Sequence, residues 1–219
     1  GQVLEKAFFA TVEQADIGAP LYTVSFTYNS RGLVDTIDDP RIGLTTYHYD
    51  ANGMLTQADT PQAVLHYTYD AATADLLGIS TDSTNLRYTY TTTGALQTAE
   101  AHVINGETLA TPLVTTYSYS ADGSIATETL PNGVTTTYFY GVAGDLIQEV
   151  VKDASGTLLS QYDYVNNKNR NRTEITETVR ESNGTLSQTR IKYTYDAVGH
   201  LTKEQSQDLS GGRPLFVYT

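Results

Sequence analysis

The chain has no cysteine and no tryptophan. Without a thiol it builds neither a disulfide framework nor a zinc–thiolate centre, and thiol catalysis is excluded. Basic residues are sparse: 13 Lys and Arg face 25 Asp and Glu, giving a net charge of -12. Phosphate neutralisation needs clustered cations, so nucleic acid is not an expected partner. The one basic run, Lys168-Asn169-Arg170-Asn171-Arg172, reads as a solvated hairpin segment. Long apolar runs are also missing. No stretch approaches the roughly 18 residues of a membrane helix, and no basic segment leads into an apolar one as a signal peptide requires.

What the chain has instead is tyrosine in a fixed pattern. Sixteen of its 17 tyrosines, with two phenylalanines, fall into nine copies of the tripeptide aromatic-any-Tyr. These are Phe26-Thr27-Tyr28, Tyr47-His48-Tyr49, Tyr67-Thr68-Tyr69, Tyr88-Thr89-Tyr90, Tyr117-Ser118-Tyr119, Tyr138-Phe139-Tyr140, Tyr162-Asp163-Tyr164, Tyr193-Thr194-Tyr195 and Phe216-Val217-Tyr218. Only Tyr22 lies outside them. Successive second tyrosines are 21, 20, 21, 29, 21, 24, 31 and 23 residues apart, the mark of a repeat architecture.

Residues two apart on a strand share a face, so each tripeptide sets two rings side by side, roughly 7 Å apart, with its middle residue on the other face. Four residues after the second Tyr comes glycine, at Gly32, Gly53, Gly94, Gly123, Gly144 and Gly199. Six residues after it comes an aliphatic, at Val34, Leu55, Leu96, Ile125, Leu146 and Leu201. Segments such as Asp50-Ala51-Asn52-Gly53 and Ser120-Ala121-Asp122-Gly123 are turns in which Gly takes the positive φ of a tight hairpin. Pro or Asn-Gly marks a second turn in each unit, and the longer intervals hold hairpin tips at Glu181–Thr185 and Ile104–Glu107. The expected fold is all-β: one continuous array over 1–219, two antiparallel strands per repeat, with little helix and the six glycine turns along one edge.

The pattern Tyr-x-Tyr-Asp-x-x-Gly-x-Leu, complete in Tyr47 to Leu55 and Tyr193 to Leu201, resembles the YD repeat, also called the RHS repeat. The resemblance spans Phe26 to Tyr218. Asp follows the second Tyr at Asp50, Asp70 and Asp196 only, and Thr73 stands where the Tyr69 copy would have Gly. In the Tyr164 copy Lys168 and Arg170 occupy the glycine and aliphatic positions, so the repeat's turn is in question there. The resemblance implies a sheet strip that winds spirally into a hollow shell. Bacterial members enclose a toxic C-terminal segment in such a shell, and in animal teneurins a similar shell belongs to an adhesion receptor. The expectation is thus a stretch of shell wall from a longer secreted or surface protein. Its partners would be the rest of its own polypeptide, and open sheet edges would pair with other copies.

Chemistry is thinly signalled. His48, His66, His102 and His200 show no metal-ligand spacing, and Asp35, Asp38 and Asp39 precede Pro40 without a calcium-type loop. Asp50, Asp70 and Asp196 recur with the motif, which assigns them to accepting backbone N–H bonds in the turn. Neither a catalytic residue, a metal nor a cofactor is expected, and the chain is not read as an enzyme. The aromatic rows read as packing between repeats, with a sugar-stacking platform on an adhesive module as the rival. Asn171-Arg172-Thr173 and Asn183-Gly184-Thr185 are glycosylation sequons.

Overall fold

In the computed structural model, residues 2–9, 15, 18, 20–211 and the backbone of 216–218 are described. The chain divides into two compact units, Gly1–Leu113 and Val114–Thr219. The first contains β1 (Glu5–Phe8), β2 (Tyr22–Tyr28), β3 (Val34–Asp39), β4 (Gly43–Tyr49), β5 (Leu55–Asp59), β6 (Val64–Tyr69), β7 (Leu76–Thr81), β8 (Thr84–Tyr90) and β9 (Leu96–Ile104). Strand β10 (Glu107–Tyr119) carries the chain from one unit to the next. The second holds β11 (Ile125–Thr129), β12 (Thr135–Tyr140), β13 (Leu146–Lys152), β14 (Leu158–Asn166), β15 (Arg172–Arg180), β16 (Leu186–Tyr195), β17 (Leu201–Asp208) and β18 (Phe216–Tyr218). From β1 to β9, and from β10 to β18, each strand pairs antiparallel with the next in sequence. The all-β class and the hairpin array agree with the repeat. The ninth tripeptide lies in β18, and its side chains, like Gly1 and Thr219, fall outside the described residues.

Local chemistry explains why the strands stop where they do. Tyr28, Tyr49, Tyr69, Tyr90, Tyr119, Tyr140 and Tyr195 each end a strand, and a residue six or seven positions on opens the next. Between them the chain makes a tight turn. Asp50 N donates to Met54 O at 2.9 Å and Gly53 N to Asp50 O at 3.2 Å, a three-residue hairpin loop whose last residue is left-handed. The glycines at 32, 53, 94, 123, 144 and 199 have φ between 78° and 94°. In a meander alternate hairpins open on the same side. The Tyr-end turns of each unit therefore lie along one edge of that unit.

A β-bulge recurs beside every one of these turns, which strand–turn–strand reasoning did not anticipate. His48 pairs with Gln57 but Tyr49 with Leu55, so Thr56 has no counterpart. The same one-residue slip occurs between Thr27 and Tyr28, Thr68 and Tyr69, Thr89 and Tyr90, Ser118 and Tyr119, Phe139 and Tyr140, Val165 and Asn166, and Thr194 and Tyr195. The extra residue breaks the two-residue alternation of a strand. Leu55 and Ala58, three positions apart, thereby face the same way as Tyr49 and Tyr47.

The two faces differ in burial. Ala58, opposite Tyr47, is only 3% exposed, and Val24, on the face of Phe26 and Tyr28, 6%. From Tyr47 to Tyr195 every tripeptide tyrosine is half-buried, whereas the middle residues Thr27, His48, Thr68, Thr89, Ser118, Phe139 and Thr194 are exposed. The tyrosine side is the packed side, one layer deep.

Candidate functional site

Among the described residues the repeat's own linkage is the most developed polar arrangement. The β3–β4 ladder runs only as far as Thr36 opposite Thr46, because the bulge swings the start of β3 away from β4. Two residues further on, the Val34 carbonyl is met instead by the Tyr49 hydroxyl, which donates at 2.7 Å. Tyr90 donates likewise to Leu76 O at 2.8 Å, Tyr140 to Ile125 O at 3.0 Å and Tyr195 to Arg172 O at 2.7 Å. In each case a phenol from one repeat closes a carbonyl of the repeat before it. Tyr28 makes the equivalent bond to Val3 O at 2.7 Å. This gives five of the second tyrosines a use for the hydroxyl that Phe lacks; in the Tyr164 copy the hydroxyl donates to Glu149 instead, at 3.4 Å.

Among the described residues one tripeptide brings its own two rings into contact. Tyr162 and Tyr164 stack with centroids 6.4 Å apart, close to the spacing of alternate strand residues. Successive tyrosine strands are separated by the strand between them, so opposite Tyr47, Tyr67 and Tyr88 lie Ala58, Ile79 and Ala99. In the second unit Glu128, Glu149, Glu177 and Glu204 take that place opposite Tyr117, Tyr138, Tyr162 and Tyr193. Partial burial raises the phenol pKa of Tyr49, Tyr69, Tyr90, Tyr117, Tyr138, Tyr162, Tyr164 and Tyr193 above its ordinary value.

The turn carboxylates accept backbone N–H groups. Asp50 Oδ1 takes those of Asn52 (2.9 Å) and Met54 (2.8 Å), Asp70 Oδ1 those of Ala72 and Thr73, and Asp196 Oδ1 those of Val198 and His200. These backbone bonds hold the Asp70 and Asp196 carboxyls below the usual carboxylate range. Asn29 and Asn167 do the same work with an amide oxygen.

The Tyr164 copy keeps the repeat's turn after all, displaced by two residues. Asn167 N donates to Asn171 O, Arg170 N to Asn167 O, and Arg170 takes the glycine's place with φ 64°. Strand β14 simply runs on to Asn166 before turning. The Tyr69 copy accommodates Thr73 by a turn one residue longer, in which Ala74 is left-handed with φ 62°. Nor is the basic run merely solvated. Arg170 donates to Ala143 O in the neighbouring turn at 3.1 Å, and the half-buried Arg172 lies 3.7 Å over the Tyr164 ring. Arg31 bridges adjacent turns in the same way, to Asp50 O and Ala51 O.

The remaining candidates are scattered. His48 meets Asp59 at 2.8 Å, His102 meets Glu100 at 2.9 Å and His200 meets Asp196 at 3.1 Å, three separate pairs. Among the described residues no group of His, Asp and Glu could hold a metal ion. Of the acidic trio, Asp35 is the bulge residue of its hairpin, and Asp39 binds the Arg41 guanidinium at 2.8 Å, which holds its carboxyl below the usual range. Arg41 in turn lies 4.1 Å over Tyr22, which stacks on Phe8 at 4.7 Å. Sequence reasoning missed the bulge threonines. The hydroxyls of Thr56, Thr173 and Thr202 donate to the carbonyls of His48, Val165 and Thr194 across the slip. Their signal was available: threonine recurs seven residues after the strand-end residue in these copies.

The fold is an antiparallel β-hairpin repeat, here linked by tyrosines, and solved structures share the fold. The chain is similar to part of the crystal structure of TcdB2-TccC3 without its hypervariable C-terminal region, at 17% identity and a TM-score of 0.57. That match covers 97% of this chain and 15% of the other. It is also similar to part of the Photorhabdus luminescens Tc holotoxin pore carrying the TccC3-D651A mutation, at 13% identity and a TM-score of 0.50, over 92% of this chain and 16% of that one. The chain thus spans about a sixth of the structures it matches. No protein-family model matches it, and no curated protein does. The shared fold agrees with the resemblance to YD and RHS repeats.

Proposed function

We propose that this chain is a stretch of wall in a large secreted or surface-displayed shell protein of the RHS type, enclosing a segment of its own polypeptide. The observation that carries the reading is the repetition itself. Turn and bulge recur in both units, and the phenol–carbonyl bond joins repeats in both at Tyr28, Tyr49, Tyr90, Tyr140 and Tyr195; a requirement met again and again along the array is one of construction, not of a single reacting centre. The fold shared with the TcdB2-TccC3 chain and the spacing of the tyrosine motif support it. Containment is mechanical in this account: a continuous hydrogen-bonded wall keeps water-borne proteases from the enclosed chain, and no residue here acts as a catalyst.

The test is protease protection in the parent protein. A C-terminal segment that resists digestion in the intact parent, and is cut once Tyr49, Tyr90 and Tyr140 are all changed to Phe, is the expected result. A segment cleaved equally fast in both refutes containment. The half-buried rings favour a second reading, an adhesive module that stacks sugars on tyrosine. Binding of the isolated chain to a glycan array, lost on Tyr117→Ala, would establish that reading in place of the wall.

A further inference from the structure

The sheet of the second unit carries opposite charge on its two faces. Register places Tyr162, Glu177, Thr189 and Asp208 in one row, and Tyr164, Ile175, Ile191 and Ser206 in the next. Glu149 and Glu204 pair with Tyr162 and Tyr193 on that side and Glu128 with Tyr117, so among the described residues five carboxylates there share the face with one cation, Arg172. The reverse side holds Glu174, Lys192 and Gln205 in one row, Thr176, Arg190 and Gln207 in the next, with Arg180 and Lys203 beyond. Its two carboxylates are already engaged. Asp163 accepts from Gln148 at 2.6 Å and Gln161 at 2.8 Å, and Glu174 pairs with Lys192 at 3.5 Å. In a chain of net charge -12, this face is left cationic.

Arg190, Lys192, Gln205 and Gln207 surround a recess of about 210 Å³ on that face. The half-buried Arg190 lines it with its Nε closed off and without a hydrogen-bond partner, which leaves the terminal guanidinium nitrogens to meet a ligand. The recess is smaller than the roughly 300–1,000 Å³ of pockets that enclose whole small molecules. It is sized for one polar group of something longer. A planar carboxylate matches the end of the guanidinium, where the two terminal nitrogens donate in parallel. The Gln205 and Gln207 amides add neutral donors and Lys192, shared with Glu174 at 3.5 Å, an ammonium partly offset by that carboxylate. Lys203 follows Gln205 at the next same-face position of β17, roughly 7 Å on, which is also the spacing of alternate side chains on an extended peptide.

From this geometry we propose that the Arg190 recess binds a side-chain carboxylate of an acidic polypeptide segment laid along β16 and β17. Only the reverse face of the second unit takes part, so this binding does not depend on the wall reading. Titrating the isotopically labelled chain with tetraglutamate, followed by amide NMR, tests it. The expected shifts centre on Arg190, Lys192, Gln205 and Gln207, and binding weakens as salt is raised. Arg190→Lys keeps the charge but loses the fork, and should weaken binding about tenfold in a variant whose spectrum remains dispersed. Acetate binding as tightly as tetraglutamate, inorganic phosphate binding more tightly, shifts confined to the tyrosine face, or an unchanged affinity in Arg190→Lys would each overturn the proposal. So would an unshifted wild-type spectrum at millimolar peptide.

Discussion

Replacing Tyr49 by Phe removes one oxygen and leaves the ring, which isolates the bond between repeats. That oxygen lies 2.7 Å from the Val34 carbonyl, at a half-buried position where the β3–β4 ladder has already ended. A net hydrogen bond of this kind contributes about 1 kcal/mol, and more where water cannot reach the abandoned carbonyl. For a chain of this size about 1 kcal/mol corresponds to a fall of about 2–4 °C in Tm. Tyr90 makes the same bond to Leu76 in a different pair of repeats, so the double variant should lose about twice as much. Tyr47→Phe is the control, since among the described residues the Tyr47 oxygen joins no neighbouring repeat. It should cost less than about 0.5 kcal/mol. Urea denaturation of the four variants, read by near-ultraviolet circular dichroism, makes the comparison. If Tyr49→Phe and Tyr90→Phe are no less stable than Tyr47→Phe, the phenols do not link the repeats.

Three further outcomes are expected. Tyr119→Ala should cost about 2 kcal/mol, roughly half the loss for a fully buried aromatic because the ring is half-buried, while Ser118→Ala on the exposed face stays near about 0.5; paired chemical denaturation decides it. Gly94 has φ 81°, and a Cβ added there would meet nothing within 4 Å, so Gly94→Ala tests backbone strain alone and should destabilise by about 1 kcal/mol, while Ala74→Gly at φ 62° should stabilise by a similar amount. Stability should also fall at both ends of the pH scale. The turn carboxyls of Asp70 and Asp196 have lowered pKa values, so their contribution is present above about pH 4 and lost as pH falls through the folded-state values. The tyrosines have raised ones, so theirs is present below about pH 10 and lost as pH rises through the folded-state values; urea midpoints from pH 3 to 11 would trace both limbs.

Much of this architecture is local, and local chemistry is legible in a chain of residues. The ring pairs, the glycine turns, the aspartate caps and the antiparallel class all follow from neighbours a few positions apart: two residues for a strand face, three or four for a turn. Even the cap at Asn167 follows the same rule once the strand is allowed two more residues. What the tertiary structure decided is whatever depends on the next strand over. The bulge at Thr56 became visible only when Gln57 and Leu55 were paired with His48 and Tyr49, because a slip is a relation between two strands. The phenol of Tyr49 found Val34, and that of Tyr195 found Arg172, because the slip left those carbonyls unpaired. Arg190, Lys192, Gln205 and Gln207 became one recess because antiparallel register set β16 beside β17. Spacing along the chain dictates which side chains share a face; only the pairing of strands dictates which of them meet.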